Sequence, residues 1–200
     1  FMGIKLINES DILHTAKENS QISMGQDTID AILKHLLNAQ DELFKCEDSV
    51  KKIELKKQIQ SYKDMIVKEQ LSCTTEETKE AYRNACKMAS KPFILWQLDF
   101  ARVFRDNGGF DIVIGNPPYI DSETMMNSGL EEQRTYIAQN YTFCKGNWDI
   151  YIAFFEKGFK LLNNIGYQIY ITPDKWISKP FGDKMRIEQI AYITQILAAG

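Results

Sequence analysis

Phe110-Asp111-Ile112-Val113-Ile114-Gly115-Asn116-Pro117-Pro118-Tyr119 runs from a short apolar stretch into an abrupt stop. Ile112, Val113 and Ile114 are β-branched, as suits a strand buried on both faces of a parallel sheet. Gly115 frees the backbone, and two successive prolines forbid further strand or helix pairing. The segment therefore predicts a loop leaving the C-terminal end of a buried strand, where open α/β sheets place their ligands. That loop offers one amide side chain, proline carbonyls with no competing N–H, and one aromatic ring. The set suits a flat molecule that carries an amino group.

An exocyclic amine on a heteroaromatic base is a poor nucleophile, because its lone pair is delocalised into the ring. Two acceptors aimed at its two hydrogens draw the nitrogen toward tetrahedral geometry and localise that pair. The Asn116 side-chain oxygen and the Pro117 carbonyl are the candidate acceptors. Tyr119 is the candidate stacking partner, with its ring face rather than its hydroxyl in use; such stacking is worth about 1–3 kcal/mol per base. A methyl group on a sulfonium can then be attacked in line without a strong general base. Catalysis of this kind is mostly positioning and preorganised dipoles.

Two further segments stand in order behind the first. Asn147-Trp148-Asp149-Ile150-Tyr151-Ile152-Ala153-Phe154-Phe155-Glu156-Lys157-Gly158 reads as a helix, and Gly166-Tyr167-Gln168-Ile169-Tyr170-Ile171-Thr172-Pro173-Asp174-Lys175-Trp176 as a strand with its exit loop. With Asn116-Pro117-Pro118-Tyr119, this succession resembles the adenine-N6 DNA methyltransferases of restriction–modification systems, in particular the large single-chain type IIG enzymes, over residues 93 to about 188. The resemblance implies an α/β fold, part of a Rossmann-like methyltransferase sheet. It implies S-adenosylmethionine as methyl donor in the full-length protein, and double-stranded DNA as a partner reached through the parent protein. It places catalysis on Asn116, Pro117 and Tyr119, and substrate binding on those three with Pro118. The four-residue motif alone is shared with methyltransferases acting on protein glutamine and on RNA, which form the alternative reading.

The resemblance also implies a glycine-rich loop for the cofactor, and the chain offers no Gly-x-Gly between a strand and a helix. Gly108-Gly109 reads as a turn before the Phe110 strand, so the cofactor-binding residues are unknown. The expectation is a piece of a longer polypeptide, inactive alone. Two hundred residues at 44% hydrophobic and 26% charged fit a globular chain, neither disordered nor membrane-embedded. No apolar run approaches the roughly 18–20 residues of a bilayer span, and no secretory pattern opens the sequence. Cys46, Cys73, Cys86 and Cys144 lack Cys-x-x-Cys spacing or adjacent histidines, which predicts reduced cytoplasmic thiols and no metal site. The net charge of −3 speaks against a simple DNA-binding module, since phosphate neutralisation usually makes a domain basic. DNA affinity is therefore expected from a separate domain.

Residues 1–90 have a different texture and are expected to form a helical hairpin, a coiled-coil-like insertion ahead of a partial methyltransferase catalytic domain over 91–200. Ile29, Leu36, Leu43 and Val50 form one seven-residue row, and Ile32, Ala39, Cys46 and Ile53 the other. This predicts one helix from about Asp27 to Leu71. Thr74-x-x-Glu77 then predicts a capping box opening a second helix that ends before Lys91-Pro92. The seam permits self-association, or even a non-catalytic helical interaction module, but ordinary hairpin packing is the simpler reading. Residues 1–24 read as irregular or as a short helix. Asp99 resembles the family's cofactor-binding acid, although packing ahead of the target-base strand is the favoured role. Residues 121–145 are polar and predict a long functional or mobile connection. Asp149 is expected to cap a helix carrying Ile150, Tyr151, Phe154, Phe155 and Leu162. A strand is expected over Tyr167–Thr172, ended by Pro173, and the segment after Arg186 is expected to lack its native partner.

Overall fold

The computed structural model describes residues 23–72, 75–87, 94–189, 192–193 and 196. They divide into two compact units between Asn107 and Gly108.

In the first unit the expected long helix is two helices, α1 (Ser23–Lys45) and α2 (Ser49–Leu71). The break comes at Asp48, whose carboxylate accepts from the N–H groups of Val50 and Lys51 at 2.7 and 3.1 Å and so starts a new helix. The seven-residue rows continue in the sequence, but their last members lie beyond the turn: Val50 is 76% and Ile53 58% exposed. The buried core takes Leu36, Leu37 and Ala39 from α1 and Ile59, Ile66, Val67 and Leu71 from α2. Helix α3 (Glu76–Cys86) is capped by Thr75, whose hydroxyl accepts from the Thr78 N–H at 3.4 Å. The predicted start was one residue early; Thr74 itself lies outside the described residues.

The change of composition after residue 90 and the boundary between units do not coincide. Leu95, Leu98 and Ala101, from the short helices α4 (Trp96–Asp99) and α5 (Ala101–Asn107) and the residue before them, are buried in the α1–α2 core. Polar ties reinforce them. Asp99 accepts from the Lys63 ammonium on one carboxylate oxygen and from the Leu95 N–H, at 2.9 Å, on the other. The Gln40 amide donates to the Leu98 carbonyl at 3.0 Å, and Arg102 pairs with Asp41. Both carboxylate oxygens of Asp99 thus have partners within the first unit.

The second unit is built on two parallel strands, β1 (Phe110–Gly115) and β2 (Leu162–Tyr170). Ile112, Val113, Ile114 and Gly115 pair with Tyr167, Gln168, Ile169 and Tyr170. The register slips between Phe110 and Ile112, so the ladder proper begins at Tyr167, although β2 itself follows directly from helix α8 (Tyr151–Leu161). Helix α8 covers one face: Gln168 and Tyr170 donate to its Phe155 and Phe154 carbonyls, each at 3.3 Å. The opposite face is open. Ile112 is 60%, Ile114 74%, Tyr167 64% and Ile169 53% exposed. The strand expected to be buried on both faces is half-buried on one and exposed on the other, because among the described residues a single helical layer packs on the sheet. The observed class is α/β, mostly helical, with a small parallel sheet.

The stretch expected to be a long functional or mobile connection carries two helices. Asp121 accepts from the Thr124 N–H at 2.7 Å and caps α6 (Ser122–Asn127); α7 (Glu131–Asn140) follows. Met125, Ile137, Phe143 and Cys144 from this stretch share a core with Trp148, Tyr151, Ile152, Trp176 and Met185. Trp176 lies on α9 (Lys175–Ser178), and Met185 on α10 (Asp183–Gln189); of the segment after Arg186, expected to lack its native partner, Ile193 packs half-buried against this core. Buried Glu156 ties the pieces together, accepting from the Phe143 N–H at 2.9 Å and from Lys160 at 2.6 Å. Burial pushes its carboxyl pKa up, but the Lys160 ammonium and the N–H groups of Thr142 and Phe143 outweigh that and hold it below the usual value.

The open face has a measurable signature. Ile152, fully buried, should cost about 2–5 kcal/mol on truncation to Ala. Ile114→Ala should cost no more than about 0.5 kcal/mol, as at an ordinary surface site. Urea unfolding of the two variants measures both, and equal losses would mean that the open face is covered in solution.

Candidate functional site

The site lies where the two strands end. Gly115 is the last residue of β1, and its carbonyl accepts from the Ile171 N–H at 3.2 Å, one step beyond the end of β2. The chains of Asn116 and Ile171 therefore leave the sheet side by side. Gly115 was expected to free the backbone for the turn; its φ is not positive. The constraint is lateral instead, since a Cβ there would meet the Tyr170 ring at 3.2 Å.

All four sequence-predicted site residues cluster at this exit. Asn116 is exposed, Pro117 buried, Pro118 half-buried and Tyr119 51% exposed. The Tyr119 hydroxyl donates to the Asn116 side-chain oxygen and also lies 3.0 Å from the Ile171 carbonyl oxygen. Its ring meets Tyr151 edge-on, with centroids 6.5 Å apart and planes at 87°. Tyr151 is fully buried, so it fixes one edge of the Tyr119 ring. Neither the Asn116–Tyr119 bond nor the Ile171 carbonyl was foreseen from the sequence. A main-chain acceptor leaves no residue-type signal, and a loop contact across 52 residues has no local pattern.

Behind the exit loop the chain is stitched to the segment before α8. Ile150 N–H donates to the Ile120 carbonyl at 2.8 Å, Ser122 N–H to the Trp148 carbonyl at 3.0 Å, and Asp121 bridges Asp149 in antiparallel sense. The Ser122 hydroxyl is bonded to the Asn147 side-chain oxygen. Asp149 does not cap α8, as was expected; Ile150 occupies the cap position with no side-chain bond. Its carboxylate faces Lys175 at 3.7 Å instead, in a buried position. Burial raises its pKa and the Asp121 charge adds to the rise, against the opposing pull of Lys175. Phe155 packs on Tyr151, Tyr170 and Trp176, and Phe154 packs against the same core, as aromatics at helical spacing usually do.

The one glycine pair ahead of β1 is explained by packing: a Cβ on Gly109 would lie 2.5 Å from the Leu162 main chain. No group of three or more His, Cys, Asp or Glu side chains among them gathers as a metal site, and Cys46, Cys86 and Cys144 carry free thiols. None of their helices is long and apolar enough to cross a membrane.

The model of the Eco57I restriction-modification methylase family matches residues 4–196, and the chain belongs to that family. It is 30% identical over 96 residues to the type II restriction enzyme and methyltransferase RM.Eco57I of Escherichia coli, covering 47% of this chain and 10% of that protein. It is 30% identical over 94 residues to the type II methyltransferase M.BstVI of Geobacillus stearothermophilus, covering 47% and 15%, and 34% identical over 79 residues to M.PaeR7I of Pseudomonas aeruginosa, covering 40% and 13%. The matched stretch thus spans a small fraction of these relatives. No solved structure matches the chain.

The buried Asp149 gives the site a pH signature. Its native pKa is raised, so the folded chain holds a proton there that the unfolded chain has released. Stability is lost as pH climbs from the ordinary aspartate value near 3.9 through the raised native one. Asp149→Asn should remove this dependence: its stability relative to the parent chain should grow across that window and then level off. Denaturant midpoints of the two proteins, compared across the acidic range, measure it.

Proposed function

We propose that this chain is the target-base region of a DNA adenine-N6 methyltransferase of the type IIG restriction–modification class. Residues 108–200 would form part of a Rossmann-like catalytic domain. The observation that carries the reading is the convergence of Asn116, Pro117, Pro118 and Tyr119 at the C-terminal end of a parallel strand, in a chain of the restriction-modification methylase family. That is where a ligand meets an open α/β sheet.

In this reading double-stranded DNA presents an adenine flipped out of the helix, since an amine inside a base pair cannot reach a bound methyl donor. Tyr119 stacks on the extruded base, and the Asn116 side-chain oxygen and the Pro117 carbonyl accept from its amine. Pro118 stiffens the loop between them. The nitrogen lone pair is thereby localised, and the amine loses one proton to solvent after it is methylated. S-adenosylmethionine supplies the electrophilic methyl group in methyltransferases generally; the sequence carries no glycine-rich loop between a strand and a helix, so the donor would be held by other parts of the parent protein. The chain alone is then inactive, and DNA affinity comes from a further domain. The setting would be cytoplasmic.

Two measurements test this. Asn116→Ala in the methyltransferase that contains these residues should lower methyl transfer to duplex DNA by about 100–1,000-fold, the scale of losing one preorganised polar group. Folding should be kept, because Asn116 is exposed. A loss below tenfold would remove Asn116 from the chemistry. Separately, calorimetry of the 200-residue chain with S-adenosylmethionine should show no micromolar binding; a clear heat would refute the partial-domain reading.

A further inference from the structure

Stacking uses the ring face of Tyr119 and leaves its hydroxyl without a task, yet the hydroxyl is engaged. It donates to the Asn116 side-chain oxygen, and the Ile171 carbonyl oxygen lies 3.0 Å from it at the exit of the neighbouring strand. The ring has a partner of its own, since buried Tyr151 meets its edge. Tyr119 is therefore placed at both ends, by a core aromatic and by main chain. Asn116 has no such anchors. It is exposed, and among the described residues its side chain makes no hydrogen bond besides the one from Tyr119.

The two ends of an amide have nearly the same shape and opposite chemistry: the oxygen accepts and the nitrogen donates. An amine can be received only by the oxygen, whereas an amide turned over about its Cβ–Cγ bond meets it with two more donors. An exposed asparagine with nothing to hold it samples both. A phenol proton at one side selects the oxygen, and that oxygen keeps a second lone pair for the amine. We propose that the Tyr119 hydroxyl is the positioning group of Asn116, holding the amide oxygen beside the ring on which the base stacks. This rests on the target-base reading above and leaves its two acceptors, the Asn116 oxygen and the Pro117 carbonyl, as they are. Tyr119 then links two requirements in one side chain: its face takes the flat ring, and its hydroxyl readies the acceptor for the amino group.

The test is Tyr119→Phe, which keeps the ring and removes the hydroxyl, made in the methyltransferase that contains these residues. Single-turnover methyl transfer to duplex DNA should slow about 2- to 10-fold, the scale of one ordinary hydrogen bond. Fluorescence of 2-aminopurine at the target position, which reads extrusion and stacking, should stay at the parent level. In an Asn116→Ala background the same substitution should slow transfer no further, because the two side chains act as one unit. Equal slowing in both backgrounds, no slowing in the parent, or a fall in fluorescence alongside the rate would each overturn the positioning role. A loss below tenfold from Asn116→Ala alone would instead sink the target-base reading. In the 200-residue chain, NMR reads the amide directly. Removing the hydroxyl should move the Asn116 Cγ signal, as loss of an accepted bond does. If Cγ stays in place, whether or not the Nδ2 protons move, the hydroxyl does not hold the oxygen and the proposal falls.

Discussion

The parallel pairing of Ile112–Gly115 with Tyr167–Tyr170 is the constraint on which the second unit depends. Parallel neighbours cannot be joined by a tight turn, so the intervening chain must form a crossover, and a crossover helix packs on the sheet. Helix α8 does this, and α6 and α7 fill the space between its N-terminal end and the strand exit. Because the two strands run the same way, their C-terminal ends come together. Asn116 and Ile171 then emerge on the same side although more than fifty residues of chain separate them. The bond from the Ile171 N–H to the Gly115 carbonyl is the last rung of that pairing and the first element of the site.

Behind the site, two buried carboxylates are treated in opposite ways. Glu156 has a lysine at 2.6 Å and main-chain N–H groups and is held ionised; Asp149 has a lysine at 3.7 Å and a neighbouring acid, and its ionised form is disfavoured. Each outcome follows from the count of donors that reach the carboxylate against its loss of water. Glu156 consequently acts as a fixed anchor for the segment around Phe143. Asp149 lies buried beside the residues that follow Tyr119, where loss of water favours its neutral form.

Much of this was legible in the sequence. β-branched residues followed by Gly115 and two prolines gave the strand and its end, and the order of the later segments gave the crossover helix and the second strand. What failed did so for identifiable reasons. The apolar rows of the first helices ran across the Asp48 cap because a three-residue turn does not interrupt the pattern enough to break them; the Asp-Ser pair was the signal available. The polar stretch 121–145 concealed two short helices, since its buried residues, Met125 and Ile137 among them, are too widely spaced to show a period. Strand Ile112–Ile114 was read as doubly buried from composition, which reports what a strand can bury and not how many layers the chain provides. The meeting of the Tyr119 hydroxyl with the Asn116 oxygen and the Ile171 carbonyl is set by direction, and side-chain type carries little of that.

The two-stranded sheet has a further consequence, for the handling of the protein. A sheet of two strands has two outer edges, each with a row of main-chain N–H and C=O groups turned away from its neighbour. Such edges template pairing with any extended chain that approaches, and an open apolar face beside them strengthens the tendency. Edge pairing is bimolecular, so association of this kind would rise with the concentration of the chain. Few charges blunt these strands; Asp111 is the only one on β1 and β2 carries none. Adding strands at the edges would remove the hazard and leave the Asn116 exit untouched, since that exit lies at the strand ends.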